Sequence, residues 1–508
     1  MIAAAVRGRY RPLILAAVAG VLLACGLAPL HFWWLAPPAL VAIGALFLKS
    51  GTPRRASFLG WIFGSAYFAV AMLWIVEPFF VDAARHGWMA PFALCFMAGG
   101  LALFWGSAFG LAFRFGATPG LRILTLIVLW SFAEFARAYV LTGLPWAALA
   151  QIWSVTPVAH LLAWIGPHGL ALATLAAMLP LTLVIAPDGA RERRLASVAP
   201  AAVFVIAAFW AAAGVPEPEM TGKTVRLVQP NAPQDQKWHP DHIWTFFQRQ
   251  LDYTAQRDDP KAPDLIVWPE SSVPPFLHMA DRELTMIADA AAGVPVVLGI
   301  RRASGARLFN SLAYLDETGV IAGTYDKHHL VPFGEYIPLG GVAAQMGIYG
   351  FAADRGEGFS SGRGPELMSF GALGYGIPLI CYEAVFPQDV NGAPGRGNFL
   401  LQITNDAWFG AHSGPYQHLE QARMRAIEQG LPMIRVANTG ISAIIGPTGR
   451  TVDSLPLNTA GYLDVALPAP LPPTLYSRTG DIGAFLSVLL LGLAVSALQF
   501  ARNRANSN

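Results

Sequence analysis

Leu265-Ile266-Val267-Trp268-Pro269-Glu270 and Pro378-Leu379-Ile380-Cys381-Tyr382-Glu383 share one pattern: an apolar run without a solvent-facing alternation, stopped by a reactive side chain. Runs of this kind belong to strands buried on both faces, in sheets covered by helices. Residues 225–228, 294–300 and 399–404 read the same way, and the second quoted run predicts a strand over 377–382. Residues 243–256, 282–292 and 416–429 carry apolar side chains at spacings of three and four, which predicts amphipathic helices. Together they predict a layered α/β domain over 221–468, its sheet sandwiched between helices.

Outside this domain the composition changes. The chain has 508 residues, 54% hydrophobic and 13% charged, against about 25% charged in an ordinary soluble domain. Of its 66 charged residues, 42 fall within 221–468. That segment carries 18 basic and 24 acidic side chains, whereas the flanks carry 16 and 8. A polar domain inserted into a membrane protein is implied. Its acidic balance argues against a nucleic-acid partner, which needs clustered Lys and Arg. The three cysteines exclude a disulfide framework there, because Cys381 stands alone in the domain.

Apolar segments at 13–29, 33–48, 57–76, 88–113, 123–141, 157–186, 196–214 and 482–501 predict eight spans. Gly166, Pro167 and Gly169 divide the segment at 157–186, so an interfacial helix followed by a span is expected there. Basic residues collect before the first crossing and after every even one, at Arg7, Lys49, Arg54, Arg114, Arg191 and Arg502 among others. The positive-inside rule then places both termini in the cytoplasm and the polar domain on the far side of the membrane. The predicted division is 1–220 with seven spans, 221–468 as the polar domain, and 469–508 with the eighth span. An N-terminal signal peptide is the weaker reading, since six more spans precede the polar domain. Gly60, Gly64, Gly106 and Gly110 form small-xxx-small patterns suited to close helix packing. Glu134 and Arg137, three residues apart in the fifth span, face each other either as a structural pair or as the lining of a head-group entrance. Trp146, just beyond, is expected at the outer interface.

The polar residues that break the α/β pattern sit at strand ends, where open α/β sheets place their ligands. Glu270, Lys327 and Cys381 can converge there as a carboxylate, an ammonium and a thiol. A thiol attacks a carbonyl only as thiolate, so Glu270 would take the proton and Lys327 would stabilise the thiolate and the tetrahedral oxyanion. The Tyr382 backbone N–H could supply a second oxyanion contact. His328 and His329 beside Lys327 read as loop support. His239, His242, His412 and His418 lack zinc spacing, so no metal is expected.

Trp268-Pro269-Glu270, Lys327 with His329-Leu330-Val331-Pro332-Phe333-Gly334-Glu335, Cys381-Tyr382-Glu383 and Asn405-Asp406-Ala407-Trp408-Phe409-Gly410 together resemble the nitrilase superfamily and its Glu-Lys-Cys triad. With spans on both sides, the chain resembles the apolipoprotein N-acyltransferases, a membrane-bound branch of that superfamily. The resemblance implies an integral membrane α-helical bundle joined to an α/β nitrilase-like αββα sandwich outside the cytoplasm, in the bacterial inner membrane. It implies Cys381 as nucleophile, Glu270 as base, Lys327 as oxyanion cation and Glu335 as the glutamate that orients the lysine. Trp238, Tyr382 and Glu383 would serve acceptor binding or loop closure, although Tyr382 could be ordinary packing, and Trp408 would shape the pocket wall. No cofactor is implied. A phospholipid, phosphatidylethanolamine first, would donate its sn-1 acyl chain through a Cys381 thioester to the α-amino group of a diacylated apolipoprotein. A monomer is expected. The apolar loop at 347–353 would keep water from the thioester. The rival readings are a membrane-tethered amidase hydrolysing a small amide, which has no need for eight spans, and a non-enzymatic scaffold or transporter, which has no need for a triad.

Overall fold

The computed structural model describes residues 2–184, 191–257, 262–338 and 358–507. Segment 347–353, expected to exclude water, lies outside the described residues. The chain folds as two compact units, one of Met1–Val215 with Thr474–Asn508 and one of Pro216–Pro473.

The first unit is helical. Among the described residues, four helices are long and apolar enough to cross a membrane: Ala83–Phe115, Pro119–Tyr139, Pro157–Leu183 and Ile482–Ala505. A bent pair, Pro53–Ala71 with Leu73–Phe80 at 49°, makes a fifth if counted as one span. The other three expected spans correspond to the shorter apolar helices Tyr10–Ala24, Trp33–Leu48 and Ser197–Ala213. Two of these belong to longer helices, Ile2–Ala24 and Arg191–Ala213, of 23 residues each, which at about 1.5 Å per residue reach across a hydrocarbon core of about 30 Å. Within Pro157–Leu183 the helix breaks at Gly166, whose φ is 63°. A Cβ at Gly166 would collide with the ring of the buried Tyr476.

Aromatic side chains form the interior of this unit, with Trp105 centred 4.7 Å from Trp130 and 5.4 Å from Phe63. The glycines of the small-xxx-small patterns sit where helices Pro53–Ala71 and Ala90–Phe115 meet, Gly64 against Ala102 and Gly106 against Ser57 and Trp61. The last helix leaves Leu490, Leu493, Leu498 and Phe500 exposed. Apolar surface of that kind suits lipid and marks a membrane protein.

Among the described residues the second unit contains twelve strands: β1 (Met220–Gln229), β2 (Leu265–Val267), β3 (Val296–Ser304), β4 (Arg307–Leu315), β5 (Ile321–Asp326), β6 (Met368–Ser369), β7 (Tyr375–Ile380), β8 (Phe399–Thr404), β9 (Met433–Ala437), β10 (Ser442–Ile445), β11 (Thr451–Leu455) and β12 (Gly461–Pro468). They form two six-stranded sheets, ordered β12-β1-β2-β3-β4-β5 and β11-β10-β9-β8-β7-β6. Each has a parallel trio at its centre, β1-β2-β3 and β7-β8-β9, flanked by antiparallel strands.

Three apolar layers hold the unit together. Leu227, Val267 and Leu312 of one sheet share a core with Ile380, Ile403 and Val436 of the other, so the sheets pack face to face. Helices Ile243–Ala255 and Asp281–Ala291 cover the outer face of the first sheet through Phe247, Leu251, Leu284 and Ile287. Helix Gly414–Gln429 covers the second through Ala422 and Ala426. The result is an α-β-β-α sandwich. Its edge is locked where β12 meets β1: Arg226, opposite Asp464, makes two 2.7 Å hydrogen bonds to that carboxylate.

The strand expected over 377–382 ends earlier. β7 stops at Ile380, and Cys381–Val385 is a 3-10 turn that opens with Cys381 at φ 53°. A left-handed residue cannot continue a β ladder, so the chain turns at the thiol.

Candidate active site

Three strand ends deliver the expected trio. Glu270 follows β2 by three residues, Lys327 directly follows β5, and Cys381 directly follows β7. Glu335 lies in the turn after Lys327, where Phe333 has a φ of 63°. None of the four is more than 8% exposed. Left-handed backbone recurs here, at Cys381, Phe333 and Ser271, which is adjacent to Glu270. Such strain of about 1–3 kcal/mol per residue is held only where the surroundings over-determine the conformation.

The Lys327 ammonium lies 2.8 Å from Glu335 Oε2 and 3.9 Å from Glu270 Oε1. Asn310 of β4 joins the two carboxylates, its Nδ2 donating to Glu270 Oε1 at 2.6 Å and to Glu335 Oε1 at 3.0 Å. Its backbone carbonyl accepts the Lys327 N–H at 2.9 Å. The remaining oxygens are also committed, Glu270 Oε2 to the Asn405 N–H at 2.7 Å and Glu335 Oε2 to the Val331 N–H at 2.8 Å.

Burial sets the protonation states. Burial pushes the Glu270 carboxyl up, opposed by Lys327, which makes it a better proton acceptor. Burial works against a charged Lys327, yet Glu335, the Cys381 sulfur and Glu270 outweigh it and hold the ammonium above the ordinary lysine value. Cys381 is pushed well up, by burial first and by Glu270 next, with Lys327 partly offsetting both. A neutral thiol, a basic carboxylate and a fixed cation thus share one enclosed site, the arrangement that nucleophilic catalysis at a carbonyl requires.

A second layer fixes the nucleophile's backbone. The Cys381 carbonyl accepts from Gln402 Nε2 at 2.9 Å and lies 3.1 Å from His418 Nε2. His418 Nδ1 is 2.8 Å from Asp406, which also accepts from Arg435 at 2.5 Å. Burial would raise Asp406, but Arg435 and His418 bring it down to about 2.

Glu383 is fully buried and acts as a staple. Its Oε2 accepts the Ile380 N–H at 2.6 Å, and its Oε1 accepts the His328 N–H at 2.7 Å and the Tyr325 hydroxyl at 2.9 Å. The turn bearing Cys381 is thereby tied to the loop after Lys327. His328 and His329 belong to the same support, His329 Nδ1 lying 2.8 Å from Asp389 and its ring stacked on Phe386. Burial opposes protonation of His328, but Asp389 and Glu383 raise it to about 10. Tyr382 is buried, its ring edge-on to His329 and Phe386.

The other expected residues are distributed more widely. Trp238 is half-buried, with the Arg301 guanidinium 4.3 Å from its ring centre, and it lines a small cavity with Gln250, Ser272 and Asn438. Trp408 is half-buried in the turn Asp406–Phe409. Glu134, Arg137 and Trp146 lie in the helical unit. Arg137 pairs with Glu134 at 2.7 Å and donates to the carbonyls of Leu144 and Trp146 at 2.6 Å, while Trp105 donates to Glu134 at 2.7 Å. Trp146, expected at an interface, is fully enclosed, its ring centre 4.4 Å from that of Trp74.

Asn310, Lys237, Gln402 and His418 were not singled out for the site from the sequence. The available signal was a polar side chain inside an otherwise apolar strand, as at Asn310 and Gln402.

Residues 224–471 match the carbon-nitrogen hydrolase family, and residues 19–179 match the apolipoprotein N-acyltransferase N-terminal domain. The chain is 36% identical to an apolipoprotein N-acyltransferase of Rhodopseudomonas palustris, covering 96% of this chain and 95% of that one. It is also 36% identical to one of Bradyrhizobium diazoefficiens, over 95% and 94% of the two chains. An amidase from Nesterenkonia sp. aligns with 50% of this chain and 92% of its own, at 19% identity and a TM-score of 0.36, too distant to add to the assignment. On the two family matches and on relatives that align from end to end, the chain belongs to the apolipoprotein N-acyltransferase family.

Proposed function

We propose that the chain transfers the sn-1 acyl group of a phospholipid, phosphatidylethanolamine first among them, to the α-amino group of the S-diacylglyceryl cysteine that begins an apolipoprotein. The observation that carries this reading is the enclosed convergence of Glu270, Lys327, Glu335 and Cys381 in a chain whose relatives span both units.

In the first half-reaction the Glu270 carboxylate takes the Cys381 proton as sulfur attacks the ester carbonyl. The oxyanion forms beside the Lys327 ammonium, which Glu335 keeps charged and aimed. The ester C–O bond breaks, and the departing lysophospholipid oxygen takes the proton back from Glu270. In the second half-reaction the acceptor amine, unprotonated, attacks the thioester. Glu270 removes a proton from nitrogen, the C–S bond breaks, and the sulfur is reprotonated. Trp238, Tyr382 and Trp408 line the approach, Glu383 holds the nucleophile's turn, and Glu134, Arg137 and Trp146 serve the membrane unit.

The chain works as a monomer in the bacterial inner membrane, with eight crossings, both termini cytoplasmic and residues 221–468 on the periplasmic side. Basic loops after the even crossings and three further apolar helices beside the five longer candidates support this topology. Hydrolysis of a small amide is the weaker reading, because it leaves the match of residues 19–179 without a purpose.

The test uses purified protein in phospholipid micelles with a labelled acyl donor. A hydroxylamine-sensitive acyl group on Cys381 that moves to a diacylated lipopeptide is expected. No adduct in the wild type, or an equal one in Cys381→Ala, defeats the reading.

A further inference from the structure

We propose that Lys237 is a positioning residue that ties the Trp238 loop to the main chain of the base and places a second positive charge beside that base. Lys237 is buried, and its ammonium donates to the backbone carbonyl of Glu270 at 3.0 Å. It forms no ion pair among the described residues. A buried ammonium is costly unless its charge is used. Here the neighbours that feel it are the Glu270 carboxylate, the Arg301 guanidinium and the Cys381 sulfur, with Lys327 and Glu335 beyond Glu270.

The main chain it grips needs a second hold. Ser271 has a φ of 50°, and β3 closes one side of this turn so tightly that a Cβ on Gly299 would lie 2.6 Å from Glu270 Cα. Ser272 donates its N–H to the Gly299 carbonyl at 2.8 Å on that same side. Lys237 supplies a separate hold from the 230–238 loop. The next residue is Trp238, whose ring centre is 5.5 Å from the Lys237 ammonium and 4.3 Å from the Arg301 guanidinium. A substrate seated against Trp238 is therefore coupled through one side chain to the position of Glu270.

The charge is also conditional. Burial pushes Lys237 down and Arg301 adds to this, against Glu270 and Cys381, leaving it at about 8. The ammonium is charged below that pH and loses its proton as pH rises through it, so the contribution disappears on the alkaline side.

This inference rests on the acyl-transfer reading, and its test separates the two. Single-turnover release of lysophospholipid by the full chain is followed from neutral to alkaline pH in the wild type, Lys237→Met and Lys237→Arg. In parallel, alkylation of Cys381 by iodoacetamide is followed by peptide mass, without substrate. Wild-type acylation falls as pH rises through about 8. Lys237→Arg stays charged and abolishes that fall, and Lys237→Met slows both reactions about 10- to 100-fold at neutral pH. Lys237→Met matching the wild type in both assays, or Lys237→Arg retaining the alkaline fall, overturns the proposal. If Lys237→Met does not fold, the Lys237→Arg profile decides. If the wild type forms no acyl adduct, the acyl-transfer reading fails and the alkylation rates still judge Lys237.

Discussion

The two units bury charge in opposite ways. In the helical unit Glu134 and Arg137 form a one-to-one pair: one carboxylate oxygen takes Arg137, the other takes Trp105, and the guanidinium reaches two backbone carbonyls. In the sandwich, one ammonium serves two carboxylates and a thiol, and Asn310 bridges both acids. The one-to-one pair holds a turn in place, through the Leu144 and Trp146 carbonyls. A shared cluster couples the charge of each member to the others, so that Lys327 stays charged beside a raised Glu270 that can take a proton.

The strongest way to break this contrast is to remove the shared cation. Lys327→Met should lower single-turnover acylation by about a thousandfold or more, because it deletes the oxyanion partner and leaves two carboxylates to repel. Near-normal acylation would place the chemistry elsewhere. Arg137→Met should instead cost about 3 kcal/mol of stability by stranding a buried carboxylate. It should show as early thermal loss of the detergent-solubilised protein, with acylation per folded molecule unchanged. A fall in that specific rate would give the pair a part in substrate handling.

Gly299→Ala probes the sandwich without touching a charge. The added Cβ would press on Ser271 N and Glu270 Cα, and displacing the base by a fraction of an ångström should cost about tenfold to a hundredfold in acylation. The smallest effect is in pH. His328 is raised in the folded state to about 10, so its contribution to stability is complete below the unfolded value near 6.5 and is lost as pH rises through about 10. The melting temperature of the wild type should fall over that interval, and His328→Gln should flatten the fall. An equal fall in both proteins would assign it to other groups.

Much of the sandwich was legible because burial on both faces writes itself into composition. The runs at 225–228, 265–268, 294–300 and 399–404 overlap β1, β2, β3 and β8, and the three helices fall where the spacing put them. The strand that ends before Lys327 is β5, whereas β4, β6 and β9 to β12 are not marked by apolar runs of this kind. Several carry polar or exposed residues, such as Arg307 in β4 and Asp453 in β11, which blur the apolar signal. The spans were legible as apolar stretches, and the break at Gly166 with them, but the bend after Ala71 was not.

The sequence by itself determined which groups could do chemistry: a carboxylate, an ammonium and a thiol, each placed where an apolar strand stops. Apolar periodicity and its interruptions are local properties, so they survive without coordinates. Only the tertiary structure decided how those groups share protons. The Asn310 bridge, the Lys237 hold on Glu270, the left-handed turn at Cys381 and the His418–Asp406–Arg435 support join residues far apart in the chain. Burial sets their charges, and burial is a property of the packed molecule rather than of any segment.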